Sequence, residues 1–244
     1  MRWAALIAAV VLASPARGAE IRVLTAGAFR SVLEAVVPGF EQRTRHQVVI
    51  ETDTAGGVAQ RIERGQAFDL AVLTPPTAEK PARDGKLTAV APVAAVDIGV
   101  AARADTPKPD ISTVPAFKQA LLNARAVALV DPAAGGSSGI YMVKLFEQMG
   151  IADAMRPKLV LVQGGLAAAR VASGEAELAV QQRSELLGVP GVVVVGLIPA
   201  EVQNRTVYVA GLSPAAGEVA GALLAALTGP DTKPVLAAKG MSAP

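Results

Sequence analysis

From Glu20 onward the chain alternates short aliphatic and β-branched runs with longer stretches whose apolar positions recur every three or four residues. That alternation is the signature of strands interleaved with amphipathic helices. "IRVLTAG" predicts a strand and turn, "AFRSVLEAVVPGFEQRT" a helix burying Val32, Leu33, Val36 and Phe40, and "HQVVIETDTAGG" the next strand and turn. Pro38 is expected to kink that helix, because proline removes an amide donor and crowds the preceding turn. "VAQRIERGQ" follows as a short helix ended by Gly65, and "FDLAVLTPP" as a strand stopped at Pro75 and Pro76.

A long apolar strand, "VAAVDIGVAARA" from Val93 to Ala104, then gives way to "DTPKPDISTVPAFKQALLNA", a proline-spaced loop leading into a helix. Composition shifts there, and a second unit begins. It reads as strand "AVALVDP", a helix after "AAGGSSG", strand "LVLVQGG", helix "LAAARVASGE", and strands "AELAVQQ" and "GVVVVG". "RTVYVAGLS" is a further strand, and two helices, "PAAGEVAGALLAALTGP" and "DTKPVLAAKG", close the chain. The expected fold class is α/β, with largely parallel sheets flanked by helices.

Four of the strand-to-helix turns share one chemistry: "TAGAF" at 25–29, "DTAGGV" at 53–58, the glycine- and serine-rich stretch at 131–139, and "VQGGLA" at 162–167. Each is small or glycine-rich and exposes backbone where a helix begins. Helix N-termini carry unpaired amides and partial positive charge, and in open parallel sheets they converge beyond the carboxyl ends of the strands. The set predicts a gap that grips an anion through backbone N–H groups.

Composition narrows the address and removes several chemistries. Arg2, an apolar run from Trp3 to Ala13, and small residues at Ala16 and Gly18 predict a signal peptide over residues 1–18, cut before Ala19, and hence a soluble periplasmic protein. Loss of Arg2 and Arg17 leaves 21 basic residues against 21 acidic ones, so no basic stripe for nucleic acid is expected. Cysteine is absent, which excludes disulfides, a thiolate nucleophile and a cysteine-rich zinc site. No G-x-S-x-G elbow, phosphate loop or H-E-x-x-H pattern is present, and aromatic content of 3% offers no stacking platform for bases or sugars. Neither a metal nor a cofactor is expected.

The segments "TAGAF…GFEQ", "TDTAGGVAQRIERGQAFDLAVLT", "VALVDPAAGGSSGIY", "LVQGGLAAARVASGEAELAVQQRSE" and "RTVYVAG" together resemble the molybdate-binding branch of the periplasmic solute-binding proteins. The resemblance implies a type II periplasmic binding fold of two α/β lobes joined by two crossing strands, with the ligand held between them and passed to an ABC permease. "VDIGVAARA" and "RTVYVAG" would be the crossings. Lobe 1 would then comprise 19–96 and 210–244, and lobe 2 residues 97–209. A monomer is expected.

Carried over residue by residue, the resemblance places anion contacts at Ala28, Ala55, Ser138, Gly164 and Gln182. Molybdate binders resemble one another in having serine at the first two positions and tyrosine at the last, so this chain departs from the pattern at three of the five. Gly27 and Gly56 belong to the same turns, and Thr25, Thr54 and Ser137 are the hydroxyls nearby. Gln163, Gln182 and Arg183 lie at or just past strand ends, and Arg30 lies in the first turn of its helix. A guanidinium fork suits a carboxylate, which favours an organic acid over a metal oxyanion. Arg30 and Arg183 read equally as solvated surface charges, and Tyr208 as either a cleft residue or core packing.

The same branch resembles a periplasmic aconitate isomerase, so an enzyme acting on a tricarboxylate is the alternative to a pure binder. Such a reaction needs a base beside the acidic carbon. Asp53, Glu51 and, more remotely, Glu185 are the candidates, while His46 is expected away from the cleft.

Overall fold

The computed structural model describes residues 18–244; the expected signal peptide falls, but for Gly18, outside the described residues. The first unit runs β1 (Glu20–Ala26), α1 (Gly27–Thr44), β2 (Gln47–Asp53), α2 (Ala55–Glu63), β3 (Leu70–Leu73), α3 (Pro75–Arg83) and β4 (Thr88–Val96). The second comprises β5 (Ile98–Arg103), α4 (Val114–Asn123), β6 (Val127–Val130), α5 (Ser137–Gln148), α6 (Ala152–Met155), β7 (Leu159–Val162), α7 (Ala168–Ala172), β8 (Leu178–Gln182), α8 (Arg183–Leu186) and β9 (Val192–Leu197). The chain then returns through β10 (Thr206–Leu212), α9 (Glu218–Thr228) and α10 (Thr232–Ala238).

Two five-stranded sheets result, in the orders β2-β1-β3-β10-β4 and β7-β6-β8-β5-β9. One strand in each runs against its neighbours: β10 is antiparallel to β3 and β4, and β5 is antiparallel to β8 and β9. Both reversed strands lie next to the connections between the sheets, so a strand arriving from the other lobe enters head-on. The remaining pairings, β1 with β2 and β3, and β6 with β7 and β8, are parallel.

Helices cover both faces of each sheet, which explains why "LAVL" in β3 and "VALV" in β6 are buried at every position rather than alternately. Phe29, Leu33 and Phe40 of α1 pack with Leu223 and Leu227 of α9 on one face of the first sheet, and Val58 and Ile62 of α2 on the other. In the second lobe Phe117, Met142 and Phe146 fill one face, while Ala168 and Val171 of α7 meet Ala101, Ala128 and Ala179 on the other.

Several expectations are corrected. The expected crossing strand at 205–211 is a full member of the first sheet, and the chain passes between lobes earlier, in the segment 198–205, so residues 206–209 lie with lobe 1. The first connection is the single residue Asp97 between β4 and β5. α1 runs on through Pro38, which lies on the solvent face, where water can satisfy the carbonyl it frees, while Val37 and Phe40 anchor the helix on either side. Pro75 and Pro76 start a helix instead of merely stopping a strand: they occupy the first turn of α3, where no amide is needed, behind a Thr74/Thr77 capping box. The helix expected from "LAAARVASGE" is only five residues long, since Gly174 at φ +82° turns the chain towards β8.

Candidate functional site

The glycine-rich stretch after β6 has a packing explanation at each glycine. A Cβ on Gly139 would fall 1.8 Å from the Val130 carbonyl oxygen, and one on Gly136 2.2 Å from the Val130 side chain, so the start of α5 is pressed onto the end of β6. Gly135, at φ +76°, ends the short 3-10 turn Pro132–Ala134 and meets the opposite lobe. That meeting closes the cleft: the Gly56 amide donates to the Gly135 carbonyl at 3.2 Å, and the Thr54 hydroxyl donates to the Ala134 carbonyl.

Behind this seal lies a cavity of about 30 Å³ lined from both lobes. Ala26, Gly27 and Ala28 come from the β1–α1 turn, Asp53, Thr54 and Ala55 from the β2–α2 turn, and Gly136, Ser137 and Ser138 from the start of α5. Val130, Gly165, Glu185 and Tyr208 complete the wall. Neither α1 nor α5 has a side-chain cap, so the first amides of an 18-residue and a 12-residue helix are left for whatever occupies the space. On α2 the Thr54 hydroxyl already takes the Gly57 amide at 2.9 Å, which leaves that of Ala55.

A polar relay backs the cavity. Gln182 donates through Nε2 to Ser137 Oγ at 3.1 Å and to Thr206 Oγ1 at 2.9 Å, while its own Oε1 is buried without a partner among the described residues. Ser137 Oγ lies 3.4 Å from the Tyr208 hydroxyl. Tyr208 is 2% exposed, and burial together with the nearby Glu185 pushes its phenol well above the ordinary range.

Glu185 is the residue that sequence reasoning ranked last and the structure brings to the centre. It stands in the first turn of α8, and its Oε1 lies 2.6 Å from where a Cβ on Gly27 would be, so in this position the carboxyl is seated against the start of α1. The side chain is half-buried and lines the cavity. Desolvation raises its carboxyl from an ordinary 4.5 to about 8, against a smaller opposing effect of its hydrogen bond with Gln181. Among the described residues, no lysine or arginine lines the space.

The other two base candidates are held by other partners, although Asp53 also reaches the cavity wall. Arg61 pairs with Glu51 and lies 3.8 Å from Asp53, whose second oxygen takes the Thr54 amide at 2.8 Å. His46 accepts the Ala19 amide at the far end of β2.

Among the expected ligand residues, the structure brings Gly27, Ala28, Thr54, Ala55, Ser137, Ser138 and Tyr208 to the cavity wall. It does not bring the rest there. Thr25 is fully buried, and its hydroxyl is turned to the Ala26 carbonyl. Gly56 is spent on the lobe seal, and Gln182 stands one hydrogen bond behind Ser137. Gln163 holds Asp131 at 2.7 Å, and Gly165 rather than Gly164 reaches the wall. The buried neighbour Gln181 shapes that loop, accepting from the Ala167 amide at 2.8 Å and donating to the Gly165 carbonyl at 2.9 Å. Arg183 is exposed and lies over Gly240, and Arg30 pairs with Glu34 on the surface. Both cations are therefore lost to the site.

A larger groove of about 610 Å³ opens at the opposite end of the second lobe between Arg103, Lys108, Arg125 and Glu177. Its cations are already engaged by Asp105, by backbone carbonyls and by Glu177, so it offers less to an anion than the cleft.

Comparisons with known proteins bear on the family and the fold. The chain is 33% identical over 216 residues to an aconitate isomerase of a Pseudomonas species, covering 84% of this chain and 80% of the relative. Its fold is similar to that of the Azotobacter vinelandii periplasmic molybdate-binding protein, with a TM-score of 0.77 at 21% identity over 92% of this chain and 99% of that one. It is also similar to the substrate-binding domain of a putative molybdenum ABC transporter from Clostridium difficile, with a TM-score of 0.68 at 16% identity over 93% of this chain and 100% of that one. The model of one family, described as bacterial extracellular solute-binding protein, matches residues 21–242. The chain belongs to that bacterial extracellular solute-binding protein family, on the two-lobed periplasmic binding fold.

Proposed function

We propose that the protein captures a small organic carboxylate between its lobes, outside the cytoplasm, and presents it to a membrane permease. The observation that carries this reading is the convergence of the uncapped starts of α1 and α5 on one interlobe cavity whose lining, among the described residues, holds no lysine or arginine. Each helix end contributes about 0.3–1 kcal/mol when exposed and up to about 2 when partly buried, and direct hydrogen bonds add to that. Ala26, Ala28, Ala55 and Val130 make part of the wall apolar, which suits a carbon skeleton. A tetrahedral metal oxyanion has no use for that surface. It also loses the two hydroxyl donors that alanine has replaced, at about 1.5–3 kcal/mol each. Titration calorimetry of the purified protein with citrate, trans-aconitate, succinate, sulfate and molybdate tests the reading. The expected result is micromolar binding of at least one carboxylate, weakened roughly tenfold or more in Ser137→Ala/Ser138→Ala. Tighter binding of molybdate than of every carboxylate overturns it.

A second reading, isomerisation of the bound acid, is favoured by Glu185. Moving a double bond along a carboxylate requires one group that takes a proton from one carbon and returns it to another, and a carboxyl that titrates near 8 in an enclosed site is suited to both steps. The 33% identical aconitate isomerase points the same way. Ultraviolet absorbance follows interconversion of the aconitate isomers directly. Turnover that falls about 100-fold or more in Glu185→Gln supports this second reading, whereas binding without turnover leaves capture as the function.

A further inference from the structure

We propose that closing the cleft on an anionic ligand is coupled to one proton held on Glu185, so that the protein takes up its ligand and a proton together. This rests on the carboxylate-capture reading above and adds its regulation.

The argument is one of charge and room. The Glu185 carboxyl is pressed against the start of α1 at a cavity of about 30 Å³, room for a water or two, so the lobes must part to seat a carboxylate, which then lies beside this carboxyl. Two negative charges in such a space repel strongly unless a cation stands between them, and among the described residues none is placed to do so. The elements packed against α8 are α1, β5, β8 and β9. On α1 the nearest charges are Arg30 and Glu34, which pair with each other on the surface. The cleft ends of β5 and β8 present Ile98, Gln181 and Gln182, and β9 carries no charge. The other walls add Asp53, Tyr208 and the Ser137 hydroxyl, with Arg61 turned to Glu51 and Asp53. Arg183 on α8 itself lies outside, over Gly240.

Protonated, Glu185 becomes a donor: its hydroxyl can hydrogen-bond to the incoming carboxylate. Ionised, it competes for the same amides of α1 that the ligand needs. The cleft therefore admits the anion only to the protonated protein, and affinity falls tenfold for each pH unit above the midpoint at which Glu185 titrates in the ligand-free protein. No covalent step is involved, and the proton comes from solvent.

Trans-aconitate, fully ionised across the range, serves as the probe in calorimetry at about pH 7 and about pH 9, in paired buffers of different ionisation heat. The wild-type protein is expected to bind roughly 10–100-fold more weakly at the higher pH and to take up close to one proton per ligand there. Glu185→Gln is expected to show neither the pH dependence nor the proton uptake. Carbon-13 resonances of the glutamate carboxyls, with Glu185 identified by its loss in Glu185→Gln, give a second readout that does not depend on affinity. In the complex this carboxyl should stay protonated at a pH where surface glutamates have ionised. Equal wild-type affinity at both pH values without buffer-dependent heat, or an ionised Glu185 in the complex, overturns the proton coupling while leaving carboxylate capture intact. Absence of binding by every carboxylate tested, in both proteins, instead defeats the capture reading and takes this inference with it.

Discussion

Glu185 shows what a single carboxyl costs when a fold encloses it. Its titration is raised from 4.5 to about 8 by desolvation. The folded protein therefore holds a proton that the unfolded chain has released anywhere between those values, and stability falls as pH rises through that window. One pH unit of such imbalance is worth about 1.4 kcal/mol, and because the side chain keeps some accessible surface, a total of roughly 1–4 kcal/mol is expected. Urea unfolding at the two ends of the window should show the wild type less stable at the upper end, and Glu185→Gln should remove most of that difference. An identical pH slope in the variant would mean that another group carries it. The residue was poorly legible in the sequence: an acid in the first turn of a helix is an ordinary partner for the helix dipole. Only the fold shows that this turn is folded against the start of α1. Ser137 and Ser138 were legible because local order alone, strand then glycines then hydroxyls then helix, puts them at a strand end.

At the level of elements, the close seat of α5 on β6 is a feature that the sequence carries openly, as "GGSSG", and that structure explains glycine by glycine. Gly139→Ala places a methyl 1.8 Å from the Val130 carbonyl oxygen, a clash with backbone that no side-chain adjustment relieves. It should destabilise the protein by about 1–3 kcal/mol or more in chemical denaturation and weaken ligand binding, because the start of α5 must back away from the cavity. Gly221→Ala in α9, where nothing lies within 4 Å of the new methyl, is the contrasting case and should stabilise by about 0.5–1 kcal/mol through helix propensity. The strands and long helices were readable from periodicity, since α1, α5 and α9 each bury one continuous stripe. The exceptions have local causes. Two prolines disguised the start of α3, and α7 and α8 are too short, at five and four residues, to show a helical period.

For the whole molecule, the decisive contacts join residues far apart in sequence, and these the chain order does not announce. Gln203 accepts the Ile98 amide at 2.9 Å and donates to the Ile98 and Ile198 carbonyls at 3.0 and 3.3 Å, which binds the two interlobe connections to each other. Across the mouth of the cleft the backbones of Gly56 and Gly135, one from each lobe, are closely apposed. If the lobes open, the glycine pair is the contact that would limit how far they close again. A Cβ on Gly56 would lie 2.8 Å from the Gly135 Cα, a distance that backbone atoms cannot yield locally. In Gly56→Ala the lobes must therefore stop short, while each lobe keeps its own core. Unfolding of the ligand-free variant should remain within about 1 kcal/mol of wild type, since no core contact is lost. Ligand dissociation should accelerate roughly 10–100-fold as water regains the uncapped helix ends, because affinity changes of this kind appear mainly in the off-rate. Small-angle scattering with ligand present should show a more extended particle than the wild-type complex. Scattering and off-rate unchanged from wild type would remove the glycine pair as the stop that sets closure.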